Sequence, residues 1–174
     1  MPIHRPRLIL LRGFMCAGKT RVGRSLARRL GWRFADSDAE VRRRSGLSAA
    51  AFIRRRGLRS FRAEERRVLR SLLGRTETVV ALGGGTPLPS ARPGAYSVYL
   101  SVPEEELSRR IGKVWRRLPL IGTGEPAKIR RRVRALLARR RPGYRRADWT
   151  LDCARLSPER AAARIAARLS VRAR

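Results

Sequence analysis

Residues 13–20 read Gly-Phe-Met-Cys-Ala-Gly-Lys-Thr, the spacing G-x-x-x-x-G-K-[ST]. No other stretch of the 174 residues limits the possible folds as strongly. Glycines let the backbone turn tightly, so that its N–H groups line an anion-sized nest. A helix starting there adds the partial positive charge of its N-terminus to the same spot. The pattern is informative only between a strand and a helix, and both are present. Residues 7–12 (RLILLR) form a short apolar strand ending at Gly13. Residues 19–30 put Val22, Leu26, Ala27 and Leu30 on one helical face before Gly31 ends the helix. Lys19 is placed to reach the β- and γ-phosphates of a nucleotide, and the Thr20 hydroxyl to ligate Mg²⁺.

The rest of the chain alternates strands and helices. Strands are predicted at 32–35, 78–82, 96–102 and 148–152, and helices at 38–45, 48–56, 60–73, 103–111, 127–140 and 158–170. Residues 112–126 hold three glycines and two prolines without periodicity and read as a mobile loop. Strands separated by helices imply a parallel sheet covered on both faces. The expected fold is therefore an α/β three-layer sandwich in a single domain.

Charge is the loudest feature of the composition. Lys+Arg number 43 against 13 Asp+Glu, a formal net charge of +30. Only Lys19, Lys113 and Lys128 are lysines, and so lopsided a ratio reads as compositional bias rather than a nucleic-acid surface. No specific nucleic-acid partner is expected, only nonspecific attraction of polyanions at low salt. No apolar run approaches the roughly 18 residues of a membrane span, so no membrane partner is expected. Cys16 and Cys153 make no disulfide framework or metal spacing, which points to a reducing cytoplasm. Cys16 lies at a helix N-terminus near Lys19, a position that can favour its thiolate; its other reading is a small filler of the loop.

Four further patterns follow the loop in order. Asp36-Ser37-Asp38 closes the second strand, at the sheet edge that carries the phosphate site. Two alternating carboxylates there serve one metal and one substrate hydroxyl, or else cap the helix that follows. Phe61-Arg62 with Glu65 lies on the helix after Gly57. Gly83-Gly84-Gly85 caps the TVVAL strand, where absent side chains let the backbone approach a ligand. Arg140-x-Pro142-x-Tyr144 ends the helix after the mobile loop. No N-K-x-D guanine signature is present.

Taken in order, G-F-M-x-A-G-K-T, V-G-R, F-x-D-x-D, F-R-x-x-E, A-L-G-G-G and R-x-P-x-Y resemble the shikimate kinase family, from about Arg7 to Leu169. The resemblance implies a five-stranded parallel sheet of order 2-3-1-4-5, a substrate-binding helical segment at about 38–74 and a lid at about 112–126. It implies ATP-dependent phosphorylation of the 3-hydroxyl of shikimate, with Mg²⁺, by a cytoplasmic monomer. It implies ATP binding by Gly13, Cys16, Ala17, Gly18, Lys19, Thr20, Arg21, Arg117 and Arg155, and metal binding by Thr20 and Asp36. Substrate falls to Asp38, Arg62, Gly83, Gly84, Gly85 and Arg140, and catalysis to Lys19, Asp38 and the lid residue Arg117.

The chain departs from that family at three places. The lid reads Arg117-Leu118-Pro119-Leu120, with its proline shifted. Arg21 stands where a second hydroxyl residue is usual, and 86–95 is short. These departures keep two other readings in view: a related kinase for another hydroxylated carboxylate or cyclitol, and a non-catalytic basic nucleic-acid-binding protein on the same fold.

Overall fold

Leu8–Arg12 forms strand β1, and all five of its residues are buried. Alternation along the strand divides them between two cores. Leu8 and Leu10 join Val41, Phe52, Phe61, Val68, Leu69 and Leu72. Ile9 and Leu11 join the larger cluster built around Val22, Leu26, Leu107, Val133 and Ile165. A strand with both faces covered has no use for polar side chains, which explains the run Leu-Ile-Leu-Leu.

The computed structural model describes residues 6–89, 93–114 and 125–169. After β1 come α1 (Lys19–Leu30), β2 (Arg33–Asp36), α2 (Ser37–Ser45), α3 (Ala49–Leu73), β3 (Thr78–Ala81), β4 (Ala95–Ser101), α4 (Glu104–Gly112), α5 (Pro126–Arg145), β5 (Trp149–Asp152) and α6 (Pro158–Arg168). Among the described residues the five strands form one parallel sheet of order β2-β3-β1-β4-β5. This is the architecture expected from the sequence. The connections leave β1 toward β2 on one side and reach β4 on the other, so the strand order reverses at β1. In such sheets the ligand crevice lies beyond the carboxyl ends of the strands at that reversal. On this edge the phosphate loop and Gly83 follow β1 and β3, and Asp36 and Asp152 are the last residues of β2 and β5.

Two elements differ from the expected bounds by more than two residues. The predicted helices at 48–56 and 60–73 run together as α3, broken only at Gly57, whose φ of 76° and ψ of 161° are not helical. Phe52 and Phe61, on either side of the break, pack edge to face at 5.7 Å. The second difference is α5, which continues to Arg145 with Pro142 inside it instead of stopping at Arg140. Proline removes one N–H from the helix ladder and crowds the preceding turn. Contacts from outside the helix hold the extra turn. The Arg12 guanidinium donates to the Gly143 carbonyl at 2.8 Å. The Tyr144 ring stacks on Tyr99 at 5.2 Å, and its hydroxyl donates to the Gly84 carbonyl. No helix among the described residues is long and apolar enough to cross a membrane.

Candidate active site

The loop after β1 adopts a conformation that its glycines permit. Gly13 has φ 147°, and a Cβ there would stand 2.8 Å from the Leu100 carbonyl oxygen. Gly18 caps α1 at φ 92°, and no side chain caps that helix. The first-turn N–H groups of α1 are therefore left for an anion. Lys19 arches back over the loop and donates to the carbonyls of Gly13 at 2.9 Å and Phe14 at 2.8 Å. Burial pulls the pKa of this ammonium below its ordinary value, while Asp38 and Asp36 pull it back up.

Asp36 caps the helix that follows and faces the phosphate loop at the same time. One carboxylate oxygen caps α2 by accepting the N–H groups of Asp38 at 3.0 Å and Ala39 at 3.3 Å. The other accepts the Thr20 hydroxyl at 2.7 Å. An alcohol and a carboxylate oxygen side by side at the mouth of the phosphate loop form a hard-oxygen pair that suits Mg²⁺, which takes one or two such ligands and completes its shell with phosphate and water. Asp38 does not cap. Its carboxyl is pushed up to about 6, first by burial and then by the neighbouring Asp36 carboxylate, with Lys19 opposing.

Asp38, Arg62, Gly84, Gly85, Arg140 and Phe61 line a cavity of about 390 Å³. Gly85 is where the two arginines meet. A Cβ on Gly85 would lie 2.8 Å from one Arg62 nitrogen and 2.9 Å from one Arg140 nitrogen. A Cβ on Gly83 would stand 2.6 Å from Asp38 Oδ1. The glycine turn is thus packed against the carboxylate on one side and two guanidinium groups on the other. Buried Glu65 pairs with Arg62 and accepts the Thr86 hydroxyl at 3.2 Å, which sets the Arg62 fork in place. Arg140 lies over the Phe14 ring at 5.7 Å, and burial lowers its pKa.

A second cavity of about 410 Å³ lies beside the loop, lined by Cys16, Ala17, Gly18, Arg21, Arg110, Cys153 and Pro158 among others. Met15 borders the first cavity and Cys16 the second, so the loop separates them. A larger groove between α4 and α5, about 1020 Å³, contains none of the carboxylates or glycines described above.

Cys16, Arg155 and Arg117 complete the set of expected site residues. Burial raises the Cys16 pKa, and this outweighs the nearby Lys19 and Arg110 charges, so the thiolate is disfavoured. Arg155 is exposed in the loop before α6, between Cys153 and Leu156, which line the second cavity. Arg117, with Leu118 and Pro119 and most of the expected lid, falls in 115–124, outside the described residues. Three contributors had no sequence signal of their own. The Ser37 hydroxyl accepts the Gly83 N–H at 2.8 Å, tying the carboxylate turn to the glycine turn. Arg110 donates to the Cys16 carbonyl at 3.2 Å. Arg12 braces α5 from the end of β1.

Known proteins are similar to this chain over most of its length. The family model described as "Shikimate kinase" matches residues 15–170. A shikimate kinase of Thermobifida fusca is 39% identical over 170 residues, covering 95% of each chain. One from Chlorobium chlorochromatii is 39% identical over 156 residues, covering 84% of this chain and 82% of the relative. Among solved structures, a shikimate kinase from Acinetobacter baumannii in complex with shikimate superposes with a TM-score of 0.86 at 33% identity, covering 95% of this chain and 94% of that one. By sequence and by fold, this chain belongs to the shikimate kinase family.

Proposed function

We propose that this enzyme transfers the γ-phosphoryl group of ATP to the 3-hydroxyl of shikimate. The convergence of Asp38, Arg62, Arg140 and the Gly83–Gly85 turn on one cavity at the edge of the phosphate loop carries the reading. A polyhydroxy acid presents one carboxylate and several hydroxyls. Two guanidinium forks grip the carboxylate with parallel charge-assisted bonds, and Glu65 keeps the Arg62 fork aligned. Asp38, across the same cavity, accepts a hydrogen bond from the attacking hydroxyl and takes its proton as transfer completes. Gly83, Gly84 and Gly85 bring backbone against the ring.

On the other side of the loop, Gly13, Cys16, Ala17, Gly18 and Arg21 surround the phosphates, and Lys19 meets the β- and γ-oxygens. Thr20 and Asp36 would hold Mg²⁺, which supplies charge neutralisation when bound. The remainder of the nucleotide would lie along the second cavity, by Arg110 and Pro158. In this reading residues 38–74 are the substrate-binding segment of a single domain. The protein acts as a cytoplasmic monomer whose partners are small molecules.

The test is ADP release from MgATP with and without shikimate, with quinate and gluconate as alternative acceptors. Shikimate-dependent release is expected; release stimulated only by another hydroxy acid would overturn the substrate assignment.

Gly85→Ala is a sharper probe of the grip. Its methyl would land between the Arg62 and Arg140 guanidinium groups, which move at little cost to the fold. Misplacement of about 1 Å costs up to about 100-fold in rate. We expect KM for shikimate to rise about tenfold or more with KM for ATP nearly unchanged, read by steady-state kinetics in both substrates.

A further inference from the structure

Among the described residues Arg12 is the only arginine in the core, 7% exposed at the end of an otherwise apolar strand. A guanidinium is costly to bury unless its donors are used. Arg12 spends one on the Gly143 carbonyl at 2.8 Å. That oxygen lies in the last turn of α5, where the helix end is negative and its other partner is the Arg146 N–H at 3.3 Å. Pro142 has already weakened the same turn by removing an N–H.

The neighbours of Arg12 extend the connection. Its partner across the sheet is Tyr99, and Tyr99 stacks on Tyr144 at 5.2 Å with ring planes 29° apart. Tyr144 is 5% exposed and donates its hydroxyl proton to the Gly84 carbonyl. The Arg140 guanidinium interacts electrostatically with that hydroxyl, and one of its nitrogens stands 3.5 Å from where a Cβ on Gly84 would lie. One continuous path therefore runs from the residue before Gly13, through the end of α5, to Arg140 and the glycine turn.

We propose that Arg12 and Tyr144 are positioning residues that couple the phosphate loop to the carboxylate grip. They lock the post-proline turn of α5, so the strand that carries the loop also aims Arg140 into the substrate cavity. Neither residue faces the ligand; each acts through Arg140 and Gly84. A grip held to a fraction of an ångström needs such support, because α5 alone is loosened by Pro142. The proposal rests on the reading of the cavity as the shikimate site.

Two variants test it, each measured for KM with both substrates, for kcat and for Tm. Tyr144→Phe keeps the ring stacked on Tyr99 but removes the bond to Gly84 and the polar neighbour of Arg140. Arg12→Met keeps apolar bulk but removes the guanidinium bond, leaving the Gly143 carbonyl only the longer bond from the Arg146 N–H at 3.3 Å. Each is expected to raise KM for shikimate about tenfold, with KM for ATP within about twofold. Arg12→Lys, which retains a donor, should recover part of the loss. An unchanged KM for shikimate in both variants would overturn the coupling, as would equal losses for both substrates that follow a fall in Tm. Arg140→Lys separates the two readings. If it raises KM for shikimate while the other variants do not, only the coupling fails. If it too has no effect, the assignment of the cavity fails first.

Discussion

Lys19→Ala is expected to lower kcat by about 10²–10³-fold, the usual loss when one preorganised charge donor to a transition state is removed. Lys19 is held by the Gly13 and Phe14 carbonyls at 2.9 and 2.8 Å, so its ammonium sits over the nest before any phosphate arrives. Little reorganisation then remains for the moment of transfer. The fold should survive, because other contacts close the loop. The Ala17 N–H bonds the Phe14 carbonyl at 3.2 Å, and Phe14 is buried. Lys19→Arg should rescue poorly, since a planar fork does not fit where a compact ammonium bridges two carbonyls. Single-turnover phosphoryl transfer with Tm as control measures this. Activity within about tenfold of the parent would contradict the assignment of Lys19 to the transferred phosphate.

Asp38→Asn is expected to cost about 10²–10⁴-fold in kcat, the range typical of general acid–base groups. The parent should also show a pH dependence that the variant lacks. With its carboxyl raised to about 6, Asp38 is protonated below that pH and no longer accepts the hydroxyl proton. The parent's kcat/KM for shikimate should therefore rise as pH climbs through about 6 and then level off. Stability runs the opposite way. The folded carboxyl holds its proton more tightly than the ordinary carboxyl at 3.8, so this group favours folding at low pH and that contribution is lost as pH rises toward 6. Asp38→Asn should consequently match or exceed the parent in Tm at neutral pH. A pH limb near 6 that persists in the variant would assign the titration to another group.

Much of this protein is readable from short spans. The cradle at 13–20, the helix it opens and the cap at Asp36 are determined within a few residues, because backbone turns and first-turn N–H groups are local properties. The alternation of apolar strands and helices already implies a covered parallel sheet. Local rules failed where distant contacts overrode them. Proline chemistry ends α5 near Arg140, yet Arg12, Tyr99 and Gly84, none of them near it in sequence, carry the helix on to Arg145. Helix-terminus logic activates Cys16, yet the packing around it withdraws water and raises its pKa.

Arg62 and Arg140 are two of many arginines in the chain, and spacing alone says nothing about their separation in space. The sequence by itself determined the phosphate nest, the fold class and the order of the motifs, since each follows from local geometry and periodicity. Only the tertiary structure shows that the two arginines named by the motifs come together. The order β2-β3-β1-β4-β5 brings the ends of distant strands to one edge, and there Gly85, by having no side chain, leaves room for two guanidinium groups to meet.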